Sequence, residues 1–185
     1  MSSFIHQTYT RIWATKLQVP IVSVDYGKAP EKPFPQGLYD CLEAYMWTLL
    51  AFRQIYEINP EQIIIVGDSA GGNLTAALCT LLIEWNLPRP SGLVLVYPAL
   101  NLNFNTYTPS LLTALNDMIL PHTFLKLCLK AYIKEPKYNP EEDPFISPIL
   151  TSSEVLAKYP RTEILVGNKD PFHDDCCRFI EALKY

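Results

Sequence analysis

Ser69 stands in the run Gly67-Asp68-Ser69-Ala70-Gly71-Gly72, which gathers three of the chain's seven glycines into six residues. A serine among small residues is chemically useful where a strand turns sharply into a helix. The turn strains the serine backbone and projects its hydroxyl as a nucleophile, and only small flanks avoid the neighbouring strand and helix. Ile63-Ile64-Ile65-Val66 before the run reads as a strand, and the stretch from Ala70 to about Trp85 reads as a helix. In that setting Ser69 sits above the carboxyl end of a sheet, where the helix N-terminus and the Ala70 amide stabilise developing negative charge. The alternative is a glycine-rich turn that binds phosphate or simply turns. A GxGxxG fingerprint and a Walker lysine are both absent from the sequence.

A nucleophilic serine needs a base, and the base needs a group to orient it. On such an elbow the acid follows the serine in the chain and the histidine follows the acid. Asp170, in Gly167-Asn168-Lys169-Asp170-Pro171, closely follows the strand expected at Glu163–Gly167 and is the candidate acid. Its alternative role is a cap at a helix entrance. The three histidines are His6, His122 and His173. His173 lies only three residues past Asp170, too close to swing independently to the serine. His122 follows a proline at a helix start and His6 sits on the first helix, so both read as surface or packing residues. No convincing base is present.

The elements that must position these groups follow from the apolar pattern. Residues 3–17 read as a helix with Ile5, Tyr9, Ile12 and Trp13 at helical spacing, and Val19–Val24 as a buried strand. A rigid Pro-rich loop leads to an amphipathic helix from Leu38 to about Tyr56. After the Ser69 segment come a strand at Gly92–Tyr97, an irregular stretch over 99–120, a helix from Phe124 to Tyr132 and a stiff loop over 134–150. The strand at Glu163–Gly167 and a last helix from Cys176 to Leu183 complete the pattern. Apolar strands alternating with helices imply a mostly parallel sheet covered by helices on both faces, an α/β fold.

Composition narrows the partners. The chain has 185 residues, 49% hydrophobic, with a net charge of −4, which excludes general disorder and argues against a nucleic-acid partner held by phosphate neutralisation. No stretch reaches the roughly 20 apolar residues of a transmembrane helix. No signal peptide is visible at Met1-Ser2-Ser3-Phe4-Ile5-His6. Five cysteines at no disulfide or metal spacing read as reduced thiols, so a cytoplasmic protein is expected, with association to a lipid surface open.

Several motifs in order resemble one family. They are Val24-Asp25-Tyr26-Gly27-Lys28-Ala29-Pro30-Glu31, Pro33-Phe34-Pro35, Gly67-Asp68-Ser69-Ala70-Gly71-Gly72-Asn73, Asp143-Pro144-Phe145-Ile146-Ser147-Pro148 and Asp170-Pro171-Phe172-His173-Asp174-Asp175. Together they resemble the hormone-sensitive-lipase family of α/β-hydrolases, with the Pro-Phe-Pro and Ser-Pro segments closer to the eukaryotic members. The resemblance implies carboxylic-ester hydrolysis on acylglycerols or related lipid esters through an acyl-serine, with no metal or organic cofactor. By motif position it implies Ser69 as nucleophile and Asp170 as acid. The family's His-Gly-Gly-Gly segment, which supplies oxyanion-hole amides, has no counterpart in this sequence. Its catalytic histidine lies beyond the acid, after one more strand, whereas this sequence runs only fifteen residues past Asp170.

The expectation is therefore a single, incomplete α/β-hydrolase domain over 1–185 that lacks N-terminal strands and the last strand. Such a chain is expected to be inactive or nearly so alone, and to be either a fragment of a longer gene product or completed by a partner chain. The strand at Val19–Val24 would then either face a gap or pair directly with the one before Ser69. The alternative function is a non-catalytic relative that binds a ligand or serves as a structural or interaction module.

Overall fold

The run from Leu74 to Ile83 carries no charge and offers no polar face to water. A helix apolar on all sides has to be buried on all sides. In the computed structural model, which describes residues 3–184, helix α4 (Ala70–Glu84) meets that condition: every residue from Gly72 to Ile83 is buried. The helices before it in the chain are α1 (Ser3–Leu17), α2 (Gln36–Leu50) and α3 (Phe52–Tyr56).

Strands β1 (Ile64–Asp68), β2 (Gly92–Val96) and β3 (Arg161–Leu165) form one parallel sheet in that order. Their register aligns Asp68, Val96 and Leu165, so all three strands end level. Whatever follows them meets along one edge. Between β2 and β3 lie α5 (Pro109–Thr113), α6 (His122–Tyr132), a 3₁₀ turn at Pro148–Leu150 and α7 (Ser153–Leu156), and α8 (His173–Ala182) follows β3.

Two apolar clusters meet on α4. Ala76, Cys79 and Ile83 pack with Leu93 and Leu95 of β2 and with Phe172, Cys176 and Phe179 around α8. Leu74, Ala77, Leu78, Leu81 and Leu82 pack with Phe34, Leu38 and Tyr45 at α2 and with Ile146. One buried polar network ties these layers together, as burial favours, whereas the buried Tyr45 hydroxyl has no partner among the described residues. Thr80 Oγ1 lies 3.1 Å from Thr151 Oγ1 and 2.8 Å from the Tyr159 hydroxyl, and that hydroxyl donates to the Ala76 carbonyl at 2.8 Å.

The mostly parallel sheet expected from the sequence is present, with uneven helical cover. Strand residues alternate between faces. Leu93 and Leu95 are buried, whereas Ile64, Val66 and Leu165 of the other face are 60%, 46% and 54% exposed. At the carboxyl end of that second face, His6 Nε2 of α1 lies 3.9 Å from Asp68 Oδ2. Polar contacts anchor α1. Ser3 donates to Asp25 through its backbone N–H at 2.8 Å and its hydroxyl at 2.6 Å. Ile5, Ile12 and Trp13 of the helix are exposed.

The strand expected at Val19–Val24 does not form. The segment is unpaired and exposed, because no described strand lies beside it to accept its backbone hydrogen bonds, and the gap alternative holds. The helix expected over 38–56 is two helices broken at Ala51, whose φ is −106°. The sequence pattern also misses α5 and α7, short helices begun by capping hydroxyls: Leu111 N–H donates to Thr108 and Val155 N–H to Ser152. Strand β3 begins at Arg161, two residues before the expected start at Glu163.

One-sided cover has a measurable consequence. Leu95→Ala, on the covered face, should cost about 2–5 kcal/mol of unfolding free energy. Val66→Thr, on the open face, should stay within about 0.5 kcal/mol. Urea denaturation of the two variants checks the contrast, and equal costs would show that both faces are packed.

Candidate active site

Because the strands end level, β1 delivers Asp68 and Ser69, β2 delivers Tyr97, and the loop after β3 delivers Asp170 to the same edge. Ser69 has φ 53° and ψ −116°, a backbone conformation that non-glycine residues rarely adopt. Such a residue costs about 1–3 kcal/mol and persists only when its surroundings over-determine it. Here the Ser69 N–H donates to the Val96 carbonyl at 2.9 Å, and the Ser69 carbonyl accepts from Asn73 N–H at 3.1 Å and Ala99 N–H at 3.4 Å.

The flanking glycines differ in how strictly the turn needs them. A Cβ at Gly67 would collide with the Gly71 carbonyl and come within 2.5 Å of Thr75 Oγ1. One at Gly72 would lie 2.7 Å from Pro98 Cβ. At Gly71 the nearest atom would be Asp68 Oδ1 at 3.8 Å, so that position has room for a side chain.

Ser69 is half-buried, and no described residue hydrogen-bonds its hydroxyl. Ala70 is the first residue of α4, so its N–H is one of the helix's orphan donors. Asp170 is also half-buried. One of its oxygens accepts the Phe172 N–H at 2.8 Å, the local turn-forming bond that a capping role would make. Burial pushes its carboxyl above the usual carboxylate range, the Phe172 bond opposes that rise, and the Asp117 charge adds to it. Tyr97 lies between the two acids: its phenol is raised first by burial, then by the charges of Asp68 and Asp170.

None of the three histidines hydrogen-bonds the Ser69 hydroxyl. His6 faces Asp68. His122 is buried edge-on against Phe104 and Tyr107, with ring centroids 6.1 and 5.4 Å away. His173 Nδ1 lies 3.6 Å from Asp174 Oδ1 and 3.9 Å from Cys177 Sγ.

Two residues that sequence reasoning missed support the site. Buried Asn73, one turn into α4, donates to the Ala99 and Ile146 carbonyls, both at 2.8 Å, and so ties the elbow to the loops beyond β2. Its signal was an amide side chain in an otherwise apolar helix. The other is Tyr97, whose signal was only a tyrosine before a proline at a strand end. The loop that carries Asp170 is fastened separately, with Ser110 N–H donating to Asp174 Oδ2 at 2.8 Å and the Ser110 hydroxyl to the Pro171 carbonyl at 3.0 Å.

A family model described as "alpha/beta hydrolase fold" matches residues 1–185. The chain belongs to that family. Within it, the likeness is to hormone-sensitive lipases and their esterase relatives, as the motifs imply. The chain is 38% identical over 127 residues to "Hormone-sensitive lipase" of Homo sapiens, covering 69% of this chain and 12% of that one. It is 32% identical over 176 residues to "Esterase" of Acinetobacter venetianus, covering 95% of this chain and 54% of that one. The esterase structure from Pyrobaculum calidifontis superposes with a TM-score of 0.90 at 27% identity, over all of this chain and 59% of that one. The chain thus spans about half the length of these esterases and a much smaller share of the lipases. No described helix of the chain is long and apolar enough to cross a membrane, and its five cysteines are free thiols.

A carboxyl whose folded-state pKa is raised destabilises the fold above that pKa and stops doing so below its unfolded value of about 3.9. Asp170→Asn, which keeps the acceptor for Phe172, should therefore raise Tm at pH 7. The gain should shrink as pH falls through the raised pKa and vanish below about pH 4. Thermal melts across pH check this, and a gain independent of pH would contradict it.

Proposed function

We propose that this chain carries the nucleophile and the acid of a carboxylic-ester hydrolase acting on acylglycerols or related lipid esters through an acyl-serine. The observation that carries the reading is the backbone of Ser69, held at φ 53° and ψ −116° between a strand and a helix. A serine held this way has its hydroxyl free and a helix N-terminus behind it, the combination that acyl transfer uses.

In this reading the Ser69 hydroxyl loses its proton to an imidazole and attacks the ester carbonyl carbon. The carbonyl electron pair moves onto oxygen, where the Ala70 N–H and the positive end of α4 stabilise it. Collapse expels the alcohol, which takes the proton from the imidazolium, and water attacks the acyl-serine by the same route. Asp170 orients that imidazole through its free carboxylate oxygen. Gly67, Asp68, Gly71 and Gly72 form the elbow, with Gly67 and Gly72 the two that its close contacts require.

The imidazole is the group these residues do not supply, since His6, His122 and His173 are each engaged elsewhere. We therefore read residues 1–185 as one incomplete hydrolase domain, inactive as an isolated polypeptide. A cytoplasmic setting with access to lipid surfaces fits the free thiols and the substrate class.

Hydrolysis of p-nitrophenyl butyrate tests this. The isolated 185-residue polypeptide should match its Ser69→Ala variant. In the gene product from which the chain derives, Ser69→Ala should lower kcat by at least about 10³-fold, the scale of losing a serine nucleophile. Ser69-dependent turnover by the isolated polypeptide would contradict the missing base. Turnover that survives Ser69→Ala in the gene product would contradict the acyl-serine.

A further inference from the structure

On the far side of the loop after β2, α6 and residues 102–105 enclose an open groove of about 380 Å³, within the usual size of small-molecule sites. Leu102, Phe104, Leu129 and Ile133 give it an apolar floor, and Lys126 and Lys130 stand on its rim. Residues four apart on a helix are neighbours, so the two lysines line up beside Leu129 and Ile133. Among the described residues neither lysine has an ion-pair partner, in a chain whose net charge is −4. Glu141, next in the chain to the lining residue Pro140, is engaged by Asn105 Nδ2 at 3.1 Å.

We propose that this groove binds a single-chain anionic amphiphile, a long-chain carboxylate. Its head lies between Lys126 and Lys130 and its chain along Leu102, Phe104, Leu129 and Ile133. Two unpaired cations beside an apolar floor complement both ends of such a molecule, whereas an apolar alcohol would leave the lysines unused. A concave site takes one chain and does not lie flat on a bilayer, which separates the proposal from membrane binding. A carboxylate of this kind is also the acyl product of the hydrolysis proposed above, but the groove's chemistry does not depend on Ser69.

Calorimetric titration with decanoate, dodecanoate and dodecyltrimethylammonium below their micelle concentrations, with amide-shift mapping, tests the proposal. Dodecanoate should bind one-to-one, with shifts centred on residues 102–105 and 126–133 and affinity rising about fourfold per methylene. Lys126→Glu with Lys130→Glu, both at exposed positions, should weaken it about tenfold. Lys126→Gln with Lys130→Gln should give an intermediate loss, and Ser69→Ala should bind as the parent does. The proposal is overturned by absence of saturable binding, equal affinity for the cationic amphiphile, indifference to both lysine variants, or shifts elsewhere. Binding only to anionic vesicles and not to monomeric dodecanoate would overturn it as well.

Discussion

The strained backbone at Ser69 is the constraint on which the rest of the structure depends. A left-handed φ on a serine is unfavourable by itself, so the protein must hold it from several sides at once. Gly67 lets the first turn of α4 close over the end of β1, and Gly72 lets the same helix press against Pro98 after β2. The Ser69 N–H then reaches across to β2 at Val96. Each contact needs β1, β2 and α4 in fixed relation. That explains why α4 is buried along nearly its whole length and why both apolar clusters are built on it.

A second principle organises the periphery: polar anchors do the work where apolar burial is lacking. Asn73 fastens α4 to two loops, Ser110 fastens α5 to the Asp170 loop, and Ser3 and His6 fasten α1 to Asp25 and Asp68. These contacts fix positions at modest net gain in stability, since a typical hydrogen bond contributes about 1 kcal/mol. The open face of the sheet shows the same division. Order there comes from the ladder between strands and from the covered face, and Ile64, Val66 and Leu165 remain in contact with solvent.

The sharp strand-to-helix turn at Ser69 was legible in the sequence because its signals are local: a strand of four β-branched residues, small flanks, then an apolar helix. The level ending of the strands was legible only as a class of fold, since register depends on partners distant in the chain. Val19–Val24 shows the limit most clearly. Its residues have strand propensity, but propensity cannot supply a neighbour, and without one the segment stays unpaired. Helix α1 forms over the span its spacing indicates, yet Ile5, Ile12 and Trp13 stay exposed and its anchors are polar contacts to Asp25 and Asp68. Asn73 and Tyr97 were hidden because their partners lie in loops that no periodicity describes.

The central claim is that the 185 residues hold a finished nucleophile elbow without its base. Phosphonylation of the isolated polypeptide by a fluorophosphonate, followed by peptide mass spectrometry with and without added free imidazole, tests it most directly. The account predicts slow modification confined to Ser69, accelerated by imidazole and absent in Ser69→Ala. Modification at other serines, or rapid modification of Ser69 that imidazole does not change, would contradict it.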